Sequence, residues 1–376
     1  MIDAILRALA TSLEQTHATA TAMPSGFYTD PEFLKHEHQH LFEKEWICIG
    51  RANEAPSPGD YWTVDLLGEP LVVVRGDDGQ LRVLANVCRH RGMPLMTGRG
   101  HQHQLMCPYH NWSYDLQGQL QRAPLFEPRA DFNQQECRLP EVNSTVWQGF
   151  LFVNFDSDAT PLQPRLVDLD QWVDNYHMAQ MHPHFSQVEQ WPTNWKCLTE
   201  NFMEGYHLST VHYETLHTIT PSRLCERFPA GDGYFGYLSH YPPELPRRGA
   251  HHPDVSDSEL RRAVMFAVPP GLVVALGGHK VSYICMQPQG VDSVSAKLGV
   301  DCYPSNAGNK QQSDPAELFR TVVAQDKEQL VRLQRGLKSR FYSAGPLATE
   351  NLEGNVLDFY QYMARRLAHE ASLTAT

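Results

Sequence analysis

Two short hooks constrain this chain more than any other feature. Cys88-Arg89-His90 is followed, sixteen residues later, by Cys107-Pro108-Tyr109-His110. Together they offer two thiolates and two imidazoles, a set that suits either one zinc ion or a two-iron cluster. A zinc finger normally pairs Cys with Cys before its loop and His with His after it. Here each hook mixes one of each, which fits a [2Fe–2S] centre with both Cys on one iron and both His on the other. Ligand loops of this kind sit at the ends of short strands. Tyr61 to Leu66, Pro70 to Arg75 and Leu81 to Val87 have strand composition, with Gly76-Asp77-Asp78-Gly79 as a turn. Val146 to Phe155 reads as a buried closing strand. His101 and His103 lie between the hooks but fit neither, and are read as surface-loop residues.

The hooks occupy only part of 376 residues, enough for two domains. Pro161 and Pro164 mark a linker, with the boundary near Asp158. No run of eighteen apolar residues is present, so no membrane span is expected. A net charge of −12 argues against nucleic acid or an anionic membrane as partner. Ile2, Ile5, Leu6, Leu9 and Leu13 recur at helical spacing without a basic flank, which reads as a short amphipathic helix and not an export signal. Eight scattered cysteines then point to reduced thiols and a cytoplasmic location. A helix capped by Asp30 is expected to about Trp46.

The second half changes character. Leu166 to His177 and Asn194 to His207 are helix-compatible, and Gly231 to about Asp257 is loop-like. Val264 to Leu276, Lys280 to Gln287 and Ser293 to Tyr303 suggest an antiparallel sheet. Asp314-Pro315-Ala316-Glu317 signals the start of a helix running to about Arg335 with Gly336 as its stop, and a last helix covers roughly Asn355 to Ala368. Glu204, His207 and His212 place an acid and two imidazoles within nine residues. Five residues turn the two His about 140° apart on an ideal helix, so a shared metal requires the helix to end or bulge between them. His217 competes with them. Acidic candidates for a further donor, far along the chain, include Asp326, Glu328, Glu350, Glu353 and Asp358. The stripe Phe319, Val322, Leu330, Leu333, Leu337 puts Asp326 on the core side and Glu328 about 200° away toward water. A charge at a core position is costly unless it is paired or bound to metal.

Cys88-Arg89-His90-Arg91-Gly92 with Cys107-Pro108-Tyr109-His110-Asn111-Trp112 resembles the motif of Rieske non-haem iron oxygenases. Asn201-Phe202-Met203-Glu204-Gly205-Tyr206-His207 with His212 resembles their mononuclear iron segment, and Asp326 to Ser339 their late ligand helix. The resemblance implies an α+β chain: an N-terminal helical segment (1–40) packing on the catalytic domain, a small all-β Rieske domain (41–158), and a larger catalytic domain (159–376) with an antiparallel sheet surrounded by helices. It implies a [2Fe–2S] cluster on Cys88, His90, Cys107 and His110, and an Fe2+ held by a facial triad of His207, His212 and Asp326, leaving His217 outside. The implied activity is that of a terminal oxygenase, with O2 as co-substrate and NAD(P)H electrons delivered by a separate flavin- or ferredoxin-type reductase.

Many aromatic-ring dioxygenases carry Asp where Glu204 stands, one residue further from the Asn. Glu204 is more similar to the branch that oxidises carnitine, glycine betaine and related N-methylated amines, often as a homotrimer. That implies oxidation at a methyl carbon to a hemiaminal that releases formaldehyde. The alternatives are a ring-hydroxylating dioxygenase of aromatic hydrocarbon catabolism and, more remotely, a Rieske electron carrier without catalysis. The resemblance also implies that Glu204 orients His207 and bridges to the partner subunit's His110 in a head-to-tail ring of three. Trp191, Trp195, Tyr234, Phe235, Tyr237, Phe266 and Tyr283 are candidates for a cation cage, a flat aromatic slot, or plain core.

Overall fold

The computed structural model describes residues 2–127, 131–245, 249–303 and 314–368. The chain divides into two units, one of Cys48–Ala159 and one of Met1–Ile47 with Thr160–Thr376.

The 48–159 unit is built from strands, and its helical content among the described residues is one 3-10 turn, Ala52–Glu54. Leu81–Ala85, Glu69–Arg75, Asp60–Leu66 and Arg99–His101 form an antiparallel sheet in that order. Leu105–Met106, Ser113–Tyr114 and Leu120–Arg122 form a second, smaller one. Their inward residues, among them Val72, Val74, Leu84, Leu105, Tyr114 and Leu120, make one apolar core that includes Cys88 and Cys107. Two expectations are corrected here. The closing segment is a hairpin, Asn143–Trp147 against Phe150–Asn154, turned by Gln148 (φ 49) and Gly149 (φ 80). Two positive φ values match the twist of paired strands, but the apolar run on both sides hides the break. His101 ends an edge strand, where its ring meets Asp60 at 3.0 Å.

The other unit carries a seven-stranded antiparallel sheet. Its order is His182–Trp191, Ser293–Cys302, Lys280–Gly290, Leu272–Gly277, Arg262–Val268, Phe235–His240, Cys225–Phe228. Val264 to Leu276 is therefore two strands, parted at Pro269-Pro270-Gly271. His182–Trp191 has mostly exposed side chains, so it lacks the apolar alternation that marks a strand in sequence. Phe235–His240, inside the stretch read as loop, is buried along nearly its whole length.

The helices obey their caps. Asp30 accepts from the Glu32 amide (2.9 Å) at the head of Pro31–Glu37, which continues as a π-helical turn, His38–Phe42. Asn194 caps Trp195–Phe202, and that helix stops five residues short of His207 instead of reaching it. Ile2–Ser12 buries Ile5, Leu6 and Leu9 and packs on Glu350–Leu367. Glu317–Leu337 runs through Gly336, and Asp314 holds its entry by accepting from Ala316 N at 2.9 Å. Its buried stripe takes Gln334 in place of Leu333, which is 45% exposed. No helix among the described residues is long and apolar enough to cross a membrane.

Candidate metal centres

The two hooks are the same loop built twice. Cys88 O accepts from Gly92 N (2.9 Å) and Cys107 O from Asn111 N (3.0 Å), each four residues on. Cys88 N donates to Met93 O (2.9 Å) and Cys107 N to Trp112 O (2.8 Å), each five on. Gly92 (φ 78) and Asn111 (φ 57) supply the left-handed residue each closure needs. The twin loops leave both cysteines 2% exposed and both histidines on the surface. His90 and His110 have ring centroids 4.8 Å apart, and Trp112 stacks on His90 at 4.8 Å with an interplanar angle of 9°. The Tyr114 hydroxyl lies 3.4 Å from Cys88 Sγ and accepts from Arg89 N at 3.0 Å. Burial holds the Cys88 thiol above its usual range against the pull of Tyr114, and Cys107 beside it adds to the effect of burial. Two buried, adjacent sulfurs with two exposed imidazoles fit a [2Fe–2S] group.

In the second unit the chain leaves the helix beyond Phe202. Gly205 N donates to Leu352 O (2.9 Å), and a Cβ at Gly205 would stand 2.4 Å from Cys225 Sγ, so only glycine fits. A 3-10 turn, His207–Ser209, follows, and His207 O accepts from Thr210 N and Val211 N. This irregular path brings the two imidazoles to one point. His212 Nε2 lies 3.0 Å and His207 Nε2 3.6 Å from Asp326 Oδ1. His212 is fully buried and Asp326 3% exposed. His212 Nε2 and Asp326 Oδ1 are nevertheless both without a hydrogen-bond partner. Buried orphan atoms are costly, and a cation shared by three converging lone pairs removes the cost.

The outer ring nitrogens agree with that reading. His207 Nδ1 meets the Glu204 carboxylate and His212 Nδ1 the Gln325 Oε1 at 2.8 Å. Both partners accept only, so each Nδ1 carries the proton and each Nε2 presents a lone pair inward. Glu204 also accepts from the backbone of Tyr206 and, at 3.2 Å, of His207. Gln325, itself held by Thr215 Oγ1 at 3.0 Å, carried no signal in the sequence. The competing candidates are engaged elsewhere. His217 bonds Ser209 Oγ at 2.9 Å, Glu328 lies 3.9 Å from Arg332, and Glu350 and Asp358 both pair with Arg227. Glu353 accepts from Ala348 N.

The three donors sit in the wall of a cavity of about 890 Å3, connected solvent space included, whose lining is mainly apolar. Of the seven aromatics considered from sequence, only Tyr237 lines it among the described residues; Phe202, Tyr241 and Phe319 do so too. Trp191, Trp195, Tyr234, Phe235, Phe266 and Tyr283 are buried as core. Asn201 Nδ2, also in the lining, is buried without a hydrogen-bond partner.

Known proteins combine the same two parts. Residues 45–141 match the Rieske [2Fe-2S] domain family, and residues 187–369 the ring hydroxylating alpha subunit (catalytic domain) family. The carnitine monooxygenase oxygenase subunit of Acinetobacter baumannii is 30% identical over 86% of this chain and 87% of its own length. The glycine betaine monooxygenase oxygenase subunit of Chromohalobacter salexigens is 37% identical over 53% of this chain and 44% of its own. A quaternary ammonium Rieske monooxygenase solved with L-carnitine superposes with a TM-score of 0.80 at 24% identity, over 93% of this chain and 97% of that one. Naphthalene 1,2-dioxygenase from Rhodococcus sp. superposes at 0.77 with 19% identity, over 97% and 98%. At such identities these superpositions speak for the α+β fold alone. The sequence relationship goes further: this chain belongs to the Rieske non-haem iron oxygenases, enzymes that carry a [2Fe–2S] cluster and a mononuclear iron, and it is an oxygenase subunit.

Proposed function

We propose that the chain hydroxylates a carbon attached to the nitrogen of an N-methylated amine, using His207, His212 and Asp326 as iron ligands and Cys88, His90, Cys107 and His110 as cluster ligands. In this reading residues 48–159 form the electron-holding domain and the unit containing 160–376 the catalytic one. When bound, the two iron groups supply one-electron storage and dioxygen activation. The net reaction takes O2, two electrons and two protons, puts one oxygen into a C–H bond and releases the other as water. The resulting hemiaminal loses its amine and leaves an aldehyde, formaldehyde where the carbon is a methyl.

The observation that carries this reading is the pair of orphaned, converging atoms of His212 and Asp326 in the wall of a mainly apolar cavity. The protein's own work is to fix both Nδ1–H groups, through Glu204 and Gln325, and to keep the reacting carbon among apolar side chains away from bulk water. The amine class rests on the carnitine and glycine betaine enzymes among the relatives. A separate reductase is the electron source, meeting the exposed His90 and His110 edge. We place electron passage across a subunit boundary in a homotrimer, with Glu204 against the partner subunit's His110. A related quaternary ammonium monooxygenase has been described in terms of inter-subunit electron transfer. Eight cysteines without a disulfide suit a reducing cytoplasm.

The test is O2 consumption with a reductase, over N-methylated amines and aromatic acids in parallel. Stoichiometric aldehyde from an amine supports the proposal. Cis-diols or phenols from rings, with no aldehyde from any amine, would establish the ring-hydroxylating alternative.

A further inference from the structure

The cavity has two chemically different ends. Its floor is the seven-stranded sheet, whose registers align Tyr237, Met265, Ala275 and Ser282 in one row. Ser239 pairs with Ala263, and Gly277 with Lys280, in the next. Ala263, Ala275 and Gly277 are the small residues that leave this space open. The opposite wall is the helix Glu317–Leu337, which contributes Asp326, Val322, Phe319 and Leu318. Asp326 and Leu318 are about 12 Å apart at 1.5 Å of rise per residue. The triad closes one end. Lys280 stands beyond the other, its ammonium donating to the Pro315 carbonyl at 2.7 Å, just ahead of the first turn.

Lys280 is the only Lys or Arg among the described lining residues, and its ammonium donates to a carbonyl, not to a carboxylate. Asp314, which acts on it from farther off, is already held by Ala316 N, His184 at 2.8 Å and Arg320 at 2.5 Å. Burial lowers the lysine's pKa from its ordinary value, as expected of a desolvated cation. The one acid among the described lining residues, Asp326, belongs to the triad at the far end. A positive charge with no carboxylate at ion-pair distance among the described residues, in a mainly apolar chamber, favours a ligand that brings one.

On the reading that this cavity oxidises an N-methylated amine, we propose that Lys280 recognises a carboxylate at the substrate's far end. The substrate is then an elongated zwitterion, its ammonium and carboxylate separated by several bonds, and not a simple quaternary cation or a compact betaine.

The test is calorimetric titration of the holoenzyme with four probes. These are 4-(trimethylammonio)butyrate, its shorter analogue trimethylammonioacetate, butyltrimethylammonium without the carboxylate, and 5,5-dimethylhexanoate with carbon in place of nitrogen. The butyrate should bind most tightly. Lys280→Met should raise its Kd about 10- to 100-fold, the range for loss of a charge-assisted hydrogen bond, and leave butyltrimethylammonium unchanged. Lys280→Arg should restore most of the affinity. Cluster absorbance and iron content certify each variant, and Lys280→Gln replaces the Met variant if it fails that check. Equal wild-type affinity for butyrate and butyltrimethylammonium would overturn the proposal. So would a Lys280→Met effect of the same size on every probe, since that describes a lysine that only anchors Pro315. Tighter binding of the acetate would overturn the elongated shape. Wild-type binding of 5,5-dimethylhexanoate as tight as the butyrate, and still dependent on Lys280, would uphold the carboxylate contact and sink the amine reading instead.

Discussion

The two proposed metal centres solve one problem, gathering charged donors, in opposite ways. The proposed cluster site is local: its four candidate ligands lie within 23 residues, on twin loops closed by the same backbone bonds, with sulfur in the core and imidazole at the surface. The proposed mononuclear site is assembled from distant pieces, an irregular turn after Phe202 and a helix more than a hundred residues later, and two of its three proposed ligands are buried. The difference follows from what each must do. An electron store has to expose an edge to its donor. A site that activates dioxygen has to be closed to water and open to substrate.

Ligand removal breaks this comparison most sharply. Cys107→Ala should abolish the visible absorbance of the cluster and all turnover, and keep iron at the triad. Asp326→Ala should do the reverse, losing about one iron per chain and all turnover while the colour stays. Glu328→Ala and His217→Ala should change neither. An active Asp326→Ala enzyme would remove the carboxylate from the triad.

The next effect lies between the centres. Glu204→Gln keeps an acceptor for His207 Nδ1, so both metals should stay bound and reducible. It removes the negative charge proposed to link His207 with the partner subunit's His110. Single-turnover reoxidation of the reduced cluster, with substrate and O2 present, should therefore slow by orders of magnitude. A wild-type rate would confine Glu204 to orienting its own histidine. Gln325→Leu probes the other imidazole, and should weaken iron binding about 10- to 100-fold, as for lost outer contacts of metal ligands, without touching the cluster. Chelator competition measures it.

The same contrast explains what the sequence made legible. The hooks could be read because donors, turn residues and spacing lie together; the hairpin at Gln148-Gly149 could not, since its two-residue turn is hidden between apolar runs on both sides. Asp326 was readable as a charge on an apolar stripe, even though Leu333 on that stripe proved exposed and Gln334 took its place. Gln325 and Lys280 were invisible. Each is an ordinary polar residue whose role appears only when a distant segment, His212 in one case and Pro315 in the other, is folded against it. The aromatics misled for the complementary reason: composition cannot tell a ring that lines a cavity from one that fills the core, and six of seven fill the core.

The smallest expected effect separates the two centres by a single hydroxyl. Tyr114 reaches the Cys88 sulfur at 3.4 Å inside the core, a contact with no counterpart among the described residues at Cys107. Reduction of a cluster adds negative charge that its sulfurs share, so a donor to one of them stabilises the reduced form more than the oxidised form. The same hydroxyl also accepts from Arg89 N at 3.0 Å, which aligns its proton toward sulfur. Tyr114→Phe keeps the ring and the packing and deletes only the donor. A hydrogen bond worth about 0.5–1.5 kcal/mol corresponds to a drop of roughly 20–60 mV for a one-electron couple. Redox titration of the visible band should show that drop, with iron content and substrate affinity unchanged because the triad lies in the other unit. An unchanged or raised midpoint would mean that the hydroxyl serves the Arg89 backbone and not the sulfur.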